Sequence, residues 1–537
     1  MVGKTYHSFI KEGGVEKTQF DAIVIGSGTG GLSVASLLAK EGKKVLVLEQ
    51  HYVIGGYTHS FKRKGYVWDV GLHYVGQVHI DGTLLNKVFR YISNDELKWA
   101  PLDNVYDRAV FGDTEYEFPT GKENLKAMFK EHFPSEEDGI SIDKYFELLE
   151  EVRTVGPGYF AEKVIPPFFA KIFGNMLRRK VLKISDQTTL EVLQGITKNE
   201  KLIGVLTAQY GDYGLLPSKS SWYMHSLLAN HYMDGAGYPV GGAERIAETT
   251  TAVIEGAGGK VLTRASVKQI IVKDNTAVGV EMEDGTFVYA DKVISEAGIY
   301  NTYSKLLPEE VVEQHNLKDQ LKELEPSAAH MGLYVGINAA TADLNLPKCN
   351  YWIFPEEYNH ERGREAYTDF DATIPVAFAS FPSAKDSESE KNYPGRTTAQ
   401  VIIILSNEWF DTWRDTEWNK RGEEYEALKE KMAEKMFEQL YRVAPQLKGK
   451  VEHYEVSSPI TTTHFSEHEH GEIYGVEHTP KRFRQKFLKP HTPVKNLYIS
   501  GQDVLIASIA GGTMGGVLCA SAILKKNLLW KIQKTVK

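Results

Sequence analysis

Cysteine is nearly missing from this chain: Cys349 and Cys519 are the only two in 537 residues, and neither belongs to a Cys-x-x-Cys pair. That excludes a disulfide framework and a thiol redox couple, and it fits a reducing compartment. Basic blocks and arginine stripes are lacking too. Acids and bases are interspersed and sum to a formal charge of −9, so no nucleic-acid partner is expected. There are no internal repeats or low-complexity tracts, and proline and glycine are dispersed. The opening segment MVGKTYHSFIKEGGVEKTQF has no apolar core followed by small residues, the pattern a secretory signal needs; a cytoplasmic protein, peripheral to a membrane at most, is the expectation. One stretch is long enough to span a bilayer: Val504 to Leu524 is 21 uncharged residues followed by Lys525 and Lys526. Gly511, Gly512, Gly515 and Gly516 fall in its middle, where they are expected to interrupt a helix and let backbone approach something closely.

What is present is α/β patterning in a chain too long for one core, so two packed units are expected. Phe20 to Ile25 is an apolar run ending at glycine, Leu32 to Lys40 has helical spacing, and Lys43 to Glu49 reads as a second strand. This is a β-α-β unit, which implies a parallel sheet. Charged helical periods dominate from about Asn94 to Asn230. From Tyr238 the α/β character returns, with alternating strands and a hairpin signal at Asp284-Gly285. Strands and helices are mixed from Asn301 to about Pro490, and the tail from Asn496 to Trp530 reads strand, glycine-rich turn, helix. The expected organisation is a discontinuous nucleotide-binding domain of residues 18–95, 236–300 and 490–537, with a substrate domain made of 96–235 and 301–489.

Gly26, Gly28 and Gly31 fit Gly-x-Gly-x-x-Gly, with Ser27, Thr29 and Gly30 completing the loop between strand and helix. The first glycine permits the tight turn, the second removes a side chain where a pyrophosphate approaches, and the third lets helix and strand pack closely; the helix N-terminus faces the anion. Glu49, followed by Gln50, ends the second strand, where an acid can accept from ribose hydroxyls. The Gly55-Gly56 pair a few residues on suggests chain passing close to an extended ligand, which favours FAD over NAD. A separate NAD domain would need a second fingerprint, and GAGYPVGGAER has neither a clear preceding strand nor a following acid. NAD(P)H as electron donor would therefore have to visit the substrate cleft, or a separate reductase would supply electrons.

Several segments then carry a resemblance: the opening fingerprint, WDVGLHYVG (68–76), YGDYGLLPSKSSWYMHSLLANHY (210–232), YPVGGAERIAE, YGVEH (474–478) and NLYISGQDVLIASIAGGTMGGVLCASAIL. Together, from about Asp21 to Trp530, they resemble the retinol saturase branch of the phytoene desaturase and carotenoid isomerase flavoproteins. The resemblance implies an α/β fold with a discontinuous Rossmann-type FAD domain, a parallel central sheet and an inserted mixed α+β substrate domain. It implies FAD-dependent saturation of one double bond in a lipophilic polyene or unsaturated acyl chain, all-trans-retinol 13,14-reduction being the activity named for the branch. In such proteins the residues matching Gly501 and Asp503 lie near the ribityl or pyrophosphate, and those matching Thr513, Met514, Gly515, Gly516 and Val517 near the isoalloxazine. The residue matching Val267 contacts the adenine end, and the Ala297-Gly298 turn lies near the cofactor. His73 and Tyr74 follow WDVG in a segment the family places near the flavin, and either can donate a proton at neutral pH. The animal saturases carry an N-terminal membrane-targeting segment, and their compartment and retinol substrate are not carried over. The same flavin site serves desaturases and cis-trans isomerases; a flavin amine oxidase and a non-catalytic lipid carrier are further alternatives.

Two features stand outside that pattern. His464, His468, His470 and His478 are dense enough to suggest zinc, but their irregular spacing reads as a solvated or pocket-lining loop, and no metal is expected. Val164 to Lys180, VIPPFFAKIFGNMLRRK, combines bulky apolar residues with a basic end, as an interfacial helix does; a buried helix lining the substrate tunnel reads equally well.

Overall fold

A computed structural model describes residues 4–14 and 19–536. Residues 18 and 537, outer limits of the expected nucleotide domain, lie outside the described residues.

The apolar runs Phe20–Ile25 and Val45–Leu48 are buried along nearly their whole length, as strands covered on both faces must be. They pair in parallel, Ile23 opposite Leu46, and continue on one side to Lys260–Thr263 and Lys4–Thr5, on the other to Phe287–Ser295 and then Leu497–Ile499. All of these pairings are parallel. The first half of Phe287–Ser295 extends beyond them into an antiparallel meander with Thr276–Met282 and Val267–Lys273, turned at Gly285, whose φ of +81° suits glycine. Helices Thr29–Lys40 and Ser508–Leu524 pack together on one face of the sheet.

That second helix is the stretch with span-like hydropathy. Its glycines do not interrupt it. A Cβ on Gly515 would lie 2.2 Å from the Gly501 carbonyl oxygen and one on Gly516 2.5 Å from that of Gly30, so the missing side chains let this helix sit against backbone. The helix is 17 residues and most of it is buried, and its apolar character is that of a core element. Among the described residues no single helix is long and apolar enough to cross a membrane; Ser508–Leu524 reaches that length only together with Leu528–Thr535, to which it is bent by 112°.

A second sheet, mostly antiparallel, has seven strands in the order Val451–Ser457, Ala329–Ile337, Thr397–Leu405, Ala377–Ser380, Asn350–Phe354, Val105–Phe111, Thr114–Pro119. Its strand Ala329–Ile337 is buried at every position, with helix Glu423–Val443 on one face of the sheet. A small antiparallel sheet of Val75–Gly76, Ala236–Pro239 and Trp99–Pro101 lies outside both, so the GAGYPVGG segment does contain a strand, although not one of the parallel set. Helices Glu136–Val164, Pro167–Ser185 and Trp222–Tyr232 form a separate helical layer.

The chain breaks between the first two of these at Ile165-Pro166-Pro167, where Pro167 opens the new helix. Gly174, Arg178 and Val181 face inward, leaving Phe168, Phe169, Ile172, Phe173 and Met176 between 46% and 68% exposed. The tunnel-wall reading of this helix is thereby corrected: its bulky face points to solvent.

Candidate active site

The parallel strands deliver their C-terminal ends to one cavity of about 650 Å³, the place where open α/β sheets bind ligands. After Ile25 come Gly26 to Thr29, after Leu48 come Glu49 and Gln50, and after Ser295 come Glu296 to Gly298. Ala265 to Val267 follow Thr263, and Ser500 to Asp503 follow Ile499. Gly26 turns the chain at φ +96°.

Glu49 fastens the loop: Oε2 accepts from the backbone N–H of Ser27 at 2.9 Å and from its Oγ at 2.6 Å, while Oε1 accepts from His51 N–H at 2.8 Å. Ser27 Oγ in turn accepts from Gly55 N–H at 3.0 Å. At the start of helix Thr29–Lys40 the Gly28 N–H donates to Glu296 Oε2 at 2.9 Å. An anionic group therefore finds donors here. Burial, and then the neighbouring Glu49, push the Glu296 carboxyl up to about 8, so this carboxyl is mostly neutral at pH 7 and does not bar a second anion. Asp503 ties three loops together, Oδ2 accepting from Ile299 N–H at 2.8 Å and Oδ1 from Val476 N–H at 3.0 Å. The donor-rich turn, the acid at the second strand's end and the side-chain-free approach at Gly28 fit a flavin dinucleotide.

Beyond this cradle the cavity becomes apolar and aromatic, lined by Leu228, Tyr232, Tyr334, Trp352, Val376, Phe378, Ile402 and Ile404. Its wall carries a polar cluster around Tyr74. Tyr74 stacks on Tyr232 with ring centroids 4.2 Å apart, and its hydroxyl is 2.9 Å from Asp107 Oδ2 and 2.8 Å from Asp212 Oδ2. Asn350 Nδ2 and Gln209 Nε2 donate to Asp107 at 2.9 and 2.6 Å. Behind them Lys385 Nζ donates to Asn350 Oδ1, Ser380 Oγ and the His73 carbonyl at 2.6, 2.6 and 2.8 Å, and burial pushes that amine down to about 7. His73 also faces the cavity, edge-on to Phe378, with neither ring nitrogen hydrogen-bonded.

The model of the flavin containing amine oxidoreductase family matches residues 29–524. This chain belongs to that family. It is 37% identical over 532 residues to a Danio rerio protein named all-trans-retinol 13,14-reductase, an alignment covering 95% of this chain and 86% of that one. A second Danio rerio relative, 32% identical over 95% of the chain and 86% of its own length, is named an inactive all-trans-retinol 13,14-reductase. More distant is the prolycopene isomerase 2 of an Oncidium hybrid cultivar, 25% identical over 95% of this chain and 84% of its own. Among solved structures, putrescine oxidase bound to putrescine superposes with a TM-score of 0.63 at 14% identity, covering 95% of this chain and all of the other; that likeness is one of fold. The enzyme is an FAD-dependent oxidoreductase with the α/β flavoprotein architecture.

Within this family member, Gly26, Ser27, Gly28, Thr29, Glu49, Gln50, Gly56, Val267, Ala297, Gly298, Gly501 and Asp503 line the cavity, as do His73 and Tyr74. Others are packed closely against backbone. A Cβ on Gly30 would meet Gly501 Cα at 2.5 Å and one on Gly31 the Gly26 carbonyl oxygen at 2.3 Å. Gly55 has φ +114° and is held by Ser27, and the close approach at Gly56 is to Gly28, whose Cα would lie 2.9 Å from a Cβ at that position. Thr513, Met514, Gly515, Gly516 and Val517 lie beyond the cavity lining: the tail helix reaches the cavity with Ser508, Ile509 and Gly512, and one turn later it packs against Gly30, Ser33 and Gly501. Burial, then the nearby Lys385 and His330, hold the His73 imidazole well below its ordinary value, which disfavours the charged form that an acid would need. Of the histidine cluster, His468 lines the cavity, His464 stacks on Trp418, and His478 Nε2 accepts from Ala507 N–H at 2.8 Å. No group of three or more His, Cys, Asp or Glu among the described residues is arranged to hold a metal. Glu296 and Asp212 escape sequence reasoning. The first could have been found as an acid ending a strand just before Ala297-Gly298, the second as the one acid inside YGDYG.

Proposed function

We propose that this flavoenzyme saturates one carbon–carbon double bond of a lipophilic polyene alcohol. The observation that carries the reading is the continuity of one cavity from the glycine turn to an aromatic pocket whose wall bears exchangeable protons at Tyr74 and Asp212. The 37% identity with a retinol 13,14-reductase along nearly the whole chain supports it.

FAD, when bound, supplies hydride chemistry that no side chain can. The remaining tasks fall to the protein. Gly26 to Thr29 would offer backbone to the pyrophosphate, Glu49 would offer acceptor lone pairs to a ribose, and Val267 would hold the adenine end. Ala297, Gly298, Gly501 and Asp503 would hold the middle of the cofactor. Tyr232, Trp352 and Phe378 exclude water and hold a flat conjugated chain by area and stacking. An amine substrate is disfavoured, since the carboxyl nearest the aromatic pocket, that of Asp212, is drawn into a hydrogen bond with Tyr74. Isomerisation would use the same pocket with no net electron transfer, and the resemblance to a prolycopene isomerase keeps it as the second outcome. The electron donor is NAD(P)H entering the substrate cleft or a separate reductase.

Contact with a membrane is part of the proposal. Phe168, Phe169, Ile172, Phe173 and Met176 share one exposed face, with Lys171, Arg179 and Lys180 beside it, the composition of a helix that rests in the headgroup region. A water-insoluble substrate gives such a face its use.

The test is anaerobic incubation of the reduced holoenzyme with a panel of polyenes. Two added hydrogens in the product support saturation; two lost hydrogens mean desaturation, and unchanged mass with altered retention means isomerisation. Because a relative of 32% identity is named inactive, polyene bound without flavin reoxidation would overturn the enzymatic reading in favour of a carrier.

A further inference from the structure

Saturation needs a proton on one carbon as the other receives hydride, and the following argument rests on that reading of the site. We infer that Asp212 is the proton donor, held as a neutral acid by the Asp107–Tyr74 pair behind it.

The geometry forces a proton count. The Tyr74 hydroxyl lies 2.9 Å from Asp107 Oδ2 and 2.8 Å from Asp212 Oδ2. One hydroxyl carries one proton and can donate to one of these oxygens; the other contact is a hydrogen bond only if that carboxyl brings a proton of its own. Asp107 is the acceptor. Its Oδ1 receives Asn350 Nδ2 at 2.9 Å, and its Oδ2 receives Gln209 Nε2 at 2.6 Å and Trp352 Nε1 at 3.3 Å, with the Lys385 amine one bond further back on Asn350 Oδ1. Three donors besides the tyrosine stabilise a carboxylate. Asp212 has the tyrosine alone. The chain therefore runs from Asp212 O–H to Tyr74 Oη, and from Tyr74 O–H to Asp107.

Burial and solvent access agree with this order. Asp107 is fully buried and holds to about 6, its donors offsetting burial. Asp212 is half-buried and lines the cavity, and burial, then the charge of Asp107, hold it well above the ordinary carboxylic range. Tyr106, Tyr213, Tyr232 and Tyr474 are the other titratable groups whose fields reach it; all are phenols held neutral by burial. Tyr74 itself is a poor acid, raised far above its usual value by burial and by both carboxyls.

The step balances. One carbon receives the hydride that the two-electron reductant of the flavin class provides, and the other takes the Asp212 proton through the former π pair. The substrate gains two hydrogens and two electrons, and Asp212 is left as a carboxylate. The Tyr74 hydroxyl then turns from Asp107 to Asp212, so the new charge is met by a donor already in place. Solvent reaching the cavity after product release restores the proton.

The experiment uses FAD-loaded protein, reduced anaerobically and mixed with retinol as the polyene alcohol in a single turnover. Asp212→Asn is expected to load flavin and bind the polyene while saturating it ~100-fold or more slower, with Asp212→Glu within about tenfold of wild type. Infrared difference spectra of oxidised wild-type minus Asp212→Asn holoprotein at neutral pH supply a readout without turnover: a carbonyl band of a protonated carboxylic acid, shifted in deuterium oxide, with the band of Glu296, itself mostly neutral at pH 7, cancelling between the two. The inference is overturned if Asp212→Asn stays within about threefold of wild type, if it raises KM at unchanged kcat, as loss of a hydroxyl-binding group would, or if the difference spectrum shows no such band. Wild-type enzyme that leaves every polyene unreduced overturns the saturase reading instead, and the infrared band still decides whether Asp212 carries the proton.

Discussion

Glu296→Gln is the sharpest test of the cofactor turn. The carboxyl sits within the glycine loop, Oε2 2.9 Å from Gly28 N, so close that a Cβ on Gly28 would lie 2.5 Å from Oε1. Its ordinary value of 4.5 is raised to about 8, by burial first and by Glu49 next. A carboxyl raised in this way binds its proton more tightly in the folded state, so it costs nothing below about pH 4.5, where both states are protonated. The cost grows as pH climbs from there to about 8 and is constant above. At 1.36 kcal/mol per pH unit it amounts to ~3 kcal/mol at pH 7 and ~5 kcal/mol above pH 8. Glutamine keeps an acceptor for the Gly28 N–H and has no proton to lose. In calorimetry of flavin-free protein, Glu296→Gln and wild type are expected to melt together near pH 5 and to diverge by roughly 3 °C at pH 7 and 5 °C above pH 8, for a chain of this unfolding entropy. FAD brings a pyrophosphate to the same donors, so wild-type affinity should fall about tenfold per unit above pH 8, and that of the variant should not. A melting difference that is flat with pH, or a variant less stable throughout, would refute the reasoning.

Gly515→Ala places a methyl 2.2 Å from the Gly501 carbonyl oxygen, a backbone atom with no rotamer to yield; a loss of ~3 kcal/mol in denaturant unfolding, with poor flavin retention, is expected. His73→Gln removes a ring that is neutral and unpartnered, and stopped-flow reduction of polyene should change by less than about threefold with an unaltered pH profile. Phe168→Ser with Phe173→Ser removes two phenyl rings from the exposed face of Pro167–Ser185. Liposome sedimentation should drop about tenfold or more while turnover of detergent-dispersed polyene is kept; undiminished sedimentation would show that this face does not meet the bilayer.

What can be read from the sequence follows from how far apart the interacting residues lie. The opening β-α-β unit is legible because strand, turn and helix are adjacent and each has its own period, so Phe20–Ile25 and Thr29–Lys40 appear where hydropathy puts them. The tail helix shows the opposite case. Hydropathy marks the length of the apolar run, and glycine content suggests a break, but the purpose of those glycines is contact with Gly30 and Gly501, the former nearly five hundred residues earlier in the chain. A gap left for a distant backbone leaves no local trace that differs from a flexible hinge. The same distance hides the chemistry. Tyr74 is visible as a polar residue after WDVG, yet its two partners lie 33 and 138 residues away, on a strand of the second sheet and in a short turn before the helix Trp222–Tyr232. Only folding shows that both carboxyls claim one hydroxyl. Once they do, electrostatics leaves a single arrangement: the carboxylate goes where the amides and Lys385 stand, and the proton goes to the cavity. A fully buried carboxyl with three donors is disfavoured as the acid, and burial disfavours charge on a histidine whose ring has no partner. The proton source is thus fixed less by which residues are present than by which of two equal aspartates the fold surrounds with donors, two from the second sheet and one from the turn Ala208–Asp212.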